Sequence, residues 1–168
     1  MVNDPRWSCE FSLVDDTGPV EADGAQIGQV VRNLVRNARE AMPAGGKISV
    51  RMESVVLATA RNASLPAGPY LRVSITDQGA GIAPEVLPRI FDPYFSTKEQ
   101  GSQKGMGLGL TICHAIMQKH DGAITVDTTV GRGTTFSLYL PAQAPKPGPE
   151  KATRAKPPAR PPGNLLVS

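Results

Sequence analysis

The segment NLVRNARE, residues 33–40, lies within the pattern that decides how the first half of the chain folds. On both sides of it, apolar residues recur at intervals of three and four, which is the spacing of a buried helical stripe. These residues are Ile27, Val30, Val31, Leu34, Val35, Ala38 and Ala41. Asp23-Gly24-Ala25-Gln26 has the form of a capping box, so we predict a helix from about residue 24 to Met42.

Polar side chains occupy one flank of this predicted helix. Asn33, Asn37 and Glu40 are spaced i, i+4 and i+7, which places them between the apolar stripe and an arginine-rich face. Asparagine is a poor residue for a helix interior because its amide competes for backbone hydrogen bonds. Two asparagines one turn apart therefore indicate a binding site. For this helix taken alone, a pair of exposed polar residues explains the pattern equally well.

Two strands are predicted after the helix. Residues 48–52 and residues 71–75 both alternate apolar with polar side chains. Because side chains alternate between the two faces of a strand, Asp77 continues the apolar face of the second one. A carboxylate aimed at the core is costly unless it meets a donor, which favours a ligand contact. A local turn, with the aspartate bonded to nearby backbone, is the alternative.

Glycine recurs in three later patterns: Asp77-x-Gly79-x-Gly81, Gly105-x-Gly107-x-Gly109 and Gly131-x-Gly133-Thr134. The second pattern opens a predicted helix, so its backbone N–H groups and positive dipole end suit a phosphate. It is not a Walker A loop, because no Gly-Lys-Ser/Thr follows. Residues 99–106 lack apolar periodicity and are typical of a mobile lid. The third pattern lies between two alternating strands and predicts a hairpin.

The helix after Gly109 is predicted to end at Asp121-Gly122. One face is expected to carry Leu108, Ile112, Ala115, Ile116 and Lys119. His114 lies on a different face, and His120 lies at the C-terminal end, where a cation suits the helix dipole. We expect both histidines to be structural. Ala83-Pro84-Glu85 resembles the start of another short helix.

Composition limits the class of protein. The 168 residues fit one domain plus a tail, and 40% apolar content is enough for an ordinary core. Two cysteines form neither a disulfide framework nor a paired metal motif, so a reducing compartment is the default. No apolar run approaches the ~20 residues of a membrane helix, and no signal-peptide pattern is present. We expect a cytoplasmic domain without direct membrane contact.

The net charge of +3 is concentrated in the last part of the chain. Residues 141–168 carry five basic side chains against one acidic, so the first 140 residues hold 13 basic and 14 acidic ones. The folded part is therefore not basic, and we expect no nucleic-acid partner. Eight of the sixteen prolines also lie in this stretch, which predicts an extended linker.

The asparagine pair Asn33 and Asn37 and the three glycine patterns make four motifs, which occur in a characteristic order. Phe91-Asp92-Pro93-Tyr94-Phe95 lies between the second and the third of them. In that order they resemble the N, G1, F, G2 and G3 boxes of the ATP-binding catalytic domain of sensor histidine kinases. The nitrogen-regulation-like class of these kinases, within the Bergerat-fold ATPases, is the most similar. The resemblance covers about residues 23–140. It implies an α+β two-layer sandwich, with about five strands in a mixed sheet, about three helices on one face and an ATP lid. The domain would span residues 1–141, with a disordered tail at 142–168.

The resemblance implies a role for each motif. Asn37 would offer its carbonyl oxygen to the Mg²⁺ that bridges the ATP phosphates, a hard ligand of the kind Mg²⁺ takes. Asp77 would accept a hydrogen bond from the adenine amine, and Gly79 and Gly81 would let the backbone pass close to the base. Thr134 would reach adenine through water.

Other implied nucleotide contacts lie along the helix flank, the lid and the glycine loop. They are Asn33, Glu40, Ile82, Thr97, Lys98, Gly105, Met106, Gly107, Leu108, Gly109 and Leu110. Asn33 and Lys98 are the implied catalytic positions. Lys98 would contact a phosphate or the phosphoacceptor, although a solvated loop lysine is an equal interpretation. Phe91 and Phe95 are expected to anchor the loop by packing.

Position 33 separates the reaction classes within this superfamily. Hydrolytic relatives, such as mismatch-repair ATPases and type II topoisomerases, carry a glutamate there that activates water. Asn33 cannot take a proton, so the sequence favours phosphoryl transfer to an external nucleophile. A serine kinase of the anti-sigma-factor type, an ATP-hydrolysing relative and a nucleotide-binding regulatory module without transfer remain as alternatives.

The phosphoacceptor is expected on another domain, since no segment matches a motif like His-Glu-x-x-x-Pro. The resemblance implies a histidine-containing dimerisation domain, in a parent chain or in trans, and a downstream response regulator. A parent protein could be anchored in a membrane by a missing N-terminal part. Gly163-Asn164-Leu165-Leu166-Val167 resembles the opening strand of a receiver domain, although a ragged terminus explains it at least as well.

Overall fold

The computed structural model describes residues 4–14, 18–61, 65–96 and 107–143. Five strands and two α-helices, with a one-turn 3₁₀ helix between them, make up this part of the chain. In chain order they are β1 (Trp7–Leu13), α1 (Gly24–Ala41), β2 (Gly46–Leu57), β3 (Gly68–Asp77), the 3₁₀ helix (Leu87–Arg89), α2 (Gly109–Lys119), β4 (Ala123–Thr129) and β5 (Gly133–Pro141).

The strands form one mixed sheet in the order β1-β2-β3-β5-β4. β1 runs parallel to β2, and the other neighbours are antiparallel. Both α-helices pack on the same face, where the apolar side chains of β2, β3 and β5 form the main core. The predicted α+β two-layer fold is therefore confirmed. The register pairs Asp77 with Thr134 and Thr134 with Thr128, so three polar residues lie side by side at one end of the sheet.

α1 begins and ends as the sequence predicts, and it buries Val30, Leu34 and Ala38. The carboxylate of Asp23 caps it by accepting hydrogen bonds from the backbone N–H groups of Ala25 and Gln26. A short turn through Gly45 leads from α1 into β2. The apolar spacing was sufficient to predict the limits and the buried face of α1, because one stripe is clearly more apolar than the rest of the helix.

Only half of the predicted capping box forms. The backbone N–H of Asp23 donates to Nε2 of His120 at 3.1 Å, whereas the buried Oε1 of Gln26 has no partner in the described part of the chain. His120 Nδ1 lies 2.8 Å from the carbonyl oxygen of Ile116. A carbonyl only accepts, so Nδ1 carries the proton and Nε2 is the acceptor. The ring thus links the start of α1 to the end of α2.

The predicted apolar face of α2 is wrong in part: Ile116 packs against the main core, but other members of that face do not. Ile112 and Ala115 are exposed, as is Lys119, whereas Cys113 and Met117 are completely buried against α1 and the sheet. The helix is apolar on several sides, so the spacing alone did not determine which side faces the core. Its rotation is set by the contacts at its two ends, through Thr111 and His120.

The helix expected near Ala83 is also corrected. Residues 84–86 form a turn, and only the 3₁₀ helix Leu87–Arg89 follows. Pro88 has no N–H group to donate to the carbonyl of residue 84, so an α-helix cannot continue through this turn. The described part of the chain therefore has two α-helices where about three were expected.

At the far side of the sheet, Trp7 at the start of β1 contacts Arg39 of α1, but the end of the strand is exposed. Phe11 and Leu13, on the helix side of β1, are 72% and 67% exposed. Beyond β5, Ala142 forms an isolated bridge with Val20, so contacts of the described chain extend past Pro141. Neither described helix combines the length and apolar character needed to cross a membrane.

Candidate functional site

Asp77 ends β3 on the core face of the sheet and is only 5% exposed. Its Oδ1 accepts a hydrogen bond from the backbone N–H of Gly79 at 2.8 Å. Burial raises the pKa of this carboxyl group, and the N–H groups of Gly79 and Thr134 partly oppose that shift. Among the described residues, no basic side chain forms an ion pair with it. Asp77 therefore makes the local turn contact, and among the described residues its carboxyl group receives hydrogen bonds from backbone groups and from no side chain.

Thr134 lies beside Asp77 on β5 and is equally buried. Its hydroxyl is 2.9 Å from that of Thr128, the residue paired with it on β4. Thr128 also accepts a hydrogen bond from the N–H of Ile82 at 2.9 Å and donates to the carbonyl of Gly133 at 3.1 Å. The predicted residues Asp77, Ile82 and Thr134 thus meet at one place. Thr128, which sequence reasoning missed, connects two of them.

Gly79 and Gly81 are required by close contacts of their loop. A Cβ atom on Gly79 would lie 2.6 Å from the carbonyl oxygen of Ala41, at the end of α1. Gly81 has φ = +73°, and a side chain there would overlap the backbone of Thr129. The N–H of Ala80 also points to the Ala41 carbonyl, at 3.4 Å. The loop is therefore held between the last turn of α1 and the β4–β5 hairpin.

The polar flank of α1 faces the start of α2. Asn33 and Asn37 are half-buried, and Glu40 is exposed. Nδ2 of Asn33 lies 3.5 Å from the carbonyl oxygen of Gly109, at the limit of a hydrogen bond. Glu40 lies 3.8 Å from Arg36 in a solvent-exposed ion pair, which contributes little to stability. The three polar residues predicted to share a flank do so.

Asn37 fits a magnesium ion that a phosphate group brings with it. Its side-chain amide has no hydrogen bond to another described residue, so its oxygen is available on the flank of α1. In the described part of the chain, no three His, Cys, Asp or Glu side chains form a metal cluster. Mg²⁺ commonly keeps water and phosphate oxygens and takes only one or two protein ligands. One amide oxygen is compatible with that kind of coordination.

The first turn of α2 suits an anion. Leu108 is the N-cap residue and provides no side-chain hydrogen bond, and the first turn contains no acidic residue. The first N–H groups of a helix have no partner inside the helix, and its dipole is positive at this end. Of the predicted loop residues, Gly107, Leu108, Gly109 and Leu110 lie here. Gly105, Met106, Thr97 and Lys98 fall outside the described residues.

The segment from Phe91 to Phe95 is attached to α2. The ring of Phe91 packs against that of His114, with 5.4 Å between their centres, and the Thr111 hydroxyl donates to the Phe91 carbonyl at 3.0 Å. The guanidinium of Arg89 lies 4.6 Å from the centre of the Phe95 ring. Both phenylalanines make packing contacts of the kind expected from the sequence.

Cys113 contributes to the junction between the helices. Its Sγ lies 3.8 Å from the carbonyl oxygen of Val30, and burial raises the pKa of the thiol to about 11. The thiol is therefore protonated at neutral pH and acts as a small apolar side chain. It packs α2 onto α1 directly below Asn33 and has no reactive role.

A cavity of about 320 Å³ lies at this end of the sheet and forms part of the site, because Asp77, Thr128 and Thr134 contribute to its lining. Thr76, Asp127 and Thr135 contribute to its lining, and their side chains alternate with those of Asp77 and Thr134 along the strands. The lining therefore includes residues from both faces of the sheet, at the end where Asp77 lies.

Comparison with known proteins places this geometry in a family. Residues 22–144 match the family described as histidine kinase-, DNA gyrase B-, and HSP90-like ATPase. Sensor kinase CckA of Brucella abortus is 44% identical over 129 residues, which are 75% of this chain and 13% of the relative. Sensor histidine kinase ZraS of Escherichia coli K12 is 36% identical over 148 residues, 88% of this chain and 28% of the relative. The chain thus spans less than a third of these two relatives.

Solved structures show the same architecture. The nucleotide-free catalytic domain of histidine kinase ThkA superposes with a TM-score of 0.63 at 34% identity, covering 81% of this chain and 79% of that domain. Full-length ShkA, in complex with AMPPNP, also gives 0.63 at 25% identity, covering 83% of this chain and 28% of that protein.

Proposed function

The chain belongs to the family of histidine kinase-, DNA gyrase B- and HSP90-like ATPases, and from this premise we propose that it binds Mg²⁺-ATP and transfers the γ-phosphate to a histidine of a separate dimerisation domain. The observation that carries the proposal is the buried Asp77 carboxylate, for which the described residues provide no basic partner. A buried charge of this kind is costly unless a ligand supplies further donors. The relatives named as sensor kinases support the reaction class.

At the adenine end, Asp77 accepts a hydrogen bond from the exocyclic amine of the base. Thr134 lies next to it and reaches the base through a water molecule, with Ile82, Gly79 and Gly81 forming the adjoining loop. A hydrogen bond to an ionised acceptor is worth roughly 1.5–3 kcal/mol, so Asp77 provides the main polar contact with the base.

At the phosphate end, the first turn of α2 and the flank of α1 face the triphosphate. The N–H groups around Gly107, Leu108, Gly109 and Leu110 donate hydrogen bonds to phosphate oxygens. Asn37 offers its amide oxygen to the metal. Bound Mg²⁺ would offset the negative charge of the phosphates. We also assign Glu40, Thr97, Lys98, Gly105 and Met106 to this end. Lys98 supplies a positive charge to the phosphate or to the acceptor.

The reaction depends on positioning, since position 33, which carries a glutamate in hydrolytic relatives, is an asparagine in this chain. Asn33 lies beside Gly109 and carries an amide, which cannot remove a proton from water. It holds the polar flank of α1 against α2 and excludes direct hydrolysis as the main reaction. The acceptor histidine itself is the nucleophile, and the kinase brings it into line with the γ-phosphate.

The length of the relatives supports a proposal about the partners of this chain. The chain matches 13% of CckA and 28% of ZraS, which leaves room for a dimerisation domain in such proteins. We propose a histidine-bearing dimerisation domain as the immediate partner and a response regulator as the next phosphate acceptor, in the cytoplasm.

Calorimetric titration of the chain with ATP tests the binding step. We expect saturable binding in Mg²⁺ and weaker binding in EDTA, because Mg²⁺ couples Asn37 to the phosphates. Absence of ATP binding under both conditions would rule out the proposed nucleotide site. Titration with GTP provides the matched control for the base.

A chimaera tests the transfer step. The 129-residue matching region of CckA is replaced by the corresponding part of this chain, and the hybrid is incubated with labelled ATP. We expect a phosphoprotein that is labile in acid and stable in base, as phosphohistidine is. Acid-stable label would support the serine-kinase alternative, and no label, with native CckA labelled in parallel, would contradict transfer.

A further inference from the structure

The three contacts of the Thr128 hydroxyl determine where its proton lies. The N–H of Ile82 only donates, and the carbonyl of Gly133 only accepts. Thr128 therefore accepts from Ile82 and gives its single proton to Gly133. The contact with Thr134, at 2.9 Å, is then a hydrogen bond only if Thr134 donates to Thr128. All three contacts are satisfied at once in this arrangement alone.

The arrangement has a consequence for the face that Thr134 presents to a ligand. Its proton is directed at Thr128, so its oxygen has only lone pairs left to offer. The adjacent Asp77 carboxylate also only accepts when ionised. Two neighbouring acceptors suit a ligand group that carries hydrogens, such as the 6-amino group of adenine, and provide no donor for a 6-oxo group.

We propose that Thr128 is a positioning residue that keeps the Thr134 hydroxyl an acceptor and thereby makes the site select 6-amino over 6-oxo purine nucleotides. This inference rests on the proposed function, because it concerns the same nucleotide site. Thr128 acts through Thr134 and does not itself touch the base. A water that bridges Thr134 and the base gives one hydrogen to Thr134 and has one left for N1 of adenine, which accepts.

The contact with Ile82 makes this arrangement specific to the folded site. Thr128 lies on β4, Thr134 on β5, and Ile82 in the loop after β3, so the three meet only when the hairpin and the loop are in place. Without the Ile82 N–H, the Thr128 hydroxyl would lose one of the three contacts that fix its orientation. The loop therefore contributes to base selection through a side chain on another strand.

The test compares Thr128→Val with Thr128→Ser. Valine has nearly the shape of threonine but no hydroxyl, whereas serine keeps the hydroxyl and loses only the methyl group. ATP and ITP are titrated into each protein in EDTA, which removes any metal contribution; ITP carries a 6-oxo group in place of the 6-amino group. We expect the ATP-to-ITP affinity ratio to fall about tenfold in the valine variant and to stay at the wild-type value in the serine variant.

Two further variants separate positioning from general stability. Thr125→Val changes a threonine of the same strand on the opposite face, and we expect it to leave the ratio unchanged. In a Thr134→Val background, Thr128→Val should change the ratio no further, because its effect passes through Thr134. If the valine variant does not fold, Thr128→Ala removes the same hydroxyl without the added methyl group.

An unchanged ratio in a folded Thr128→Val or Thr128→Ala protein would overturn this inference while leaving the nucleotide site intact. A serine variant that loses selectivity would also overturn it, since the hydroxyl would then not be sufficient. Failure of the wild-type chain to bind ATP at all would instead refute the proposed function, and this inference with it.

Discussion

The two ends of the proposed nucleotide site are built differently. At the adenine end, Asp77, Thr134 and Thr128 lie on three adjacent strands, and the sheet register sets their relative positions. At the phosphate end, Asn33 and Asn37 lie on α1 and face the first turn of α2. Across that junction, Nδ2 of Asn33 approaches the carbonyl oxygen of Gly109 at 3.5 Å.

From this difference we expect the adenine end to select the base and the phosphate end to adjust its geometry. Ladder hydrogen bonds between strands leave little freedom for side chains at the adenine end, so we expect that end to be preorganised for one type of base. The phosphate end depends on packing between two helices, with Cys113 and the His120–Asp23 hydrogen bond as its described fixed points. Two helices adjust their separation more easily than three paired strands do. We therefore expect substitutions to act on base binding and on metal dependence separately.

The largest effect is expected from Asp77→Asn. Its amide oxygen still accepts from Gly79, but the ionised acceptor for the adenine amine is gone, so ATP affinity should fall by about 100-fold. Calorimetry in EDTA measures this fall in ATP affinity without any contribution from the metal. Wild-type affinity in this variant would show that the base does not bind at Asp77.

Asp77→Asn weakens ATP binding, but it should not lower the stability of the nucleotide-free protein. Burial raises the pKa of Asp77, so the folded state binds this proton more tightly than the unfolded state does. The stabilisation from this proton is complete below the ordinary pKa of 3.8 and is lost as the pH rises through the raised pKa of the folded state. At pH 7 the wild-type chain carries this buried charge, and Asp77→Asn should be at least as stable to urea. The advantage of the variant should shrink as the pH falls toward 4. A variant clearly less stable at pH 7 would mean that the charge is compensated in the free protein.

A smaller effect is expected at the phosphate end from Asn37→Ala. ATP affinity in Mg²⁺ should fall roughly tenfold, to about its value in EDTA, because the amide oxygen that contacts the metal is missing. Asn33→Ala, one turn earlier on the same flank, is the matched control and should keep the response to Mg²⁺. An undiminished Mg²⁺ response in Asn37→Ala would place the metal ligand elsewhere.

The smallest effect concerns the packing between α1 and α2. Cys113 is completely buried with a thiol pKa of about 11, whereas Cys9 is exposed on β1. A thiol reagent at pH 8 should modify Cys9 at least ~100-fold faster than Cys113, which reacts only when α2 opens. Bound ATP should slow Cys113 further and leave Cys9 unchanged. Similar rates for the two thiols would show that the helices separate freely, and the contrast between the two ends would then be larger than the structure indicates.

The sequence predicted those elements in which one periodicity dominates. α1 has a single apolar stripe, so its limits and its polar flank were evident, and the flank correctly grouped Asn33, Asn37 and Glu40. The alternation in β3 placed Asp77 on the buried face for the same reason. The roles of the site residues toward ATP and Mg²⁺ stay predictions.

Other features depended on contacts between distant segments. α2 is apolar on several sides, so the burial of Cys113 and Met117 in place of Ile112 followed from how its ends are attached. His120 replaced Gln26 as the partner of the Asp23 N–H, across 97 positions of the chain. Neither result is encoded in a local pattern.

By itself, the sequence determined the order of the elements, the buried direction of Asp77 and the polar flank of α1, because side-chain period and glycine positions are local properties. Only the tertiary structure decided the rotation of α2 and the meeting of Thr128, Thr134 and Ile82. A hydroxyl has one proton, and its direction depends on which donors and acceptors the fold brings within 3 Å of it. Those neighbours come from three separate segments, so they are known only once the sheet register is known.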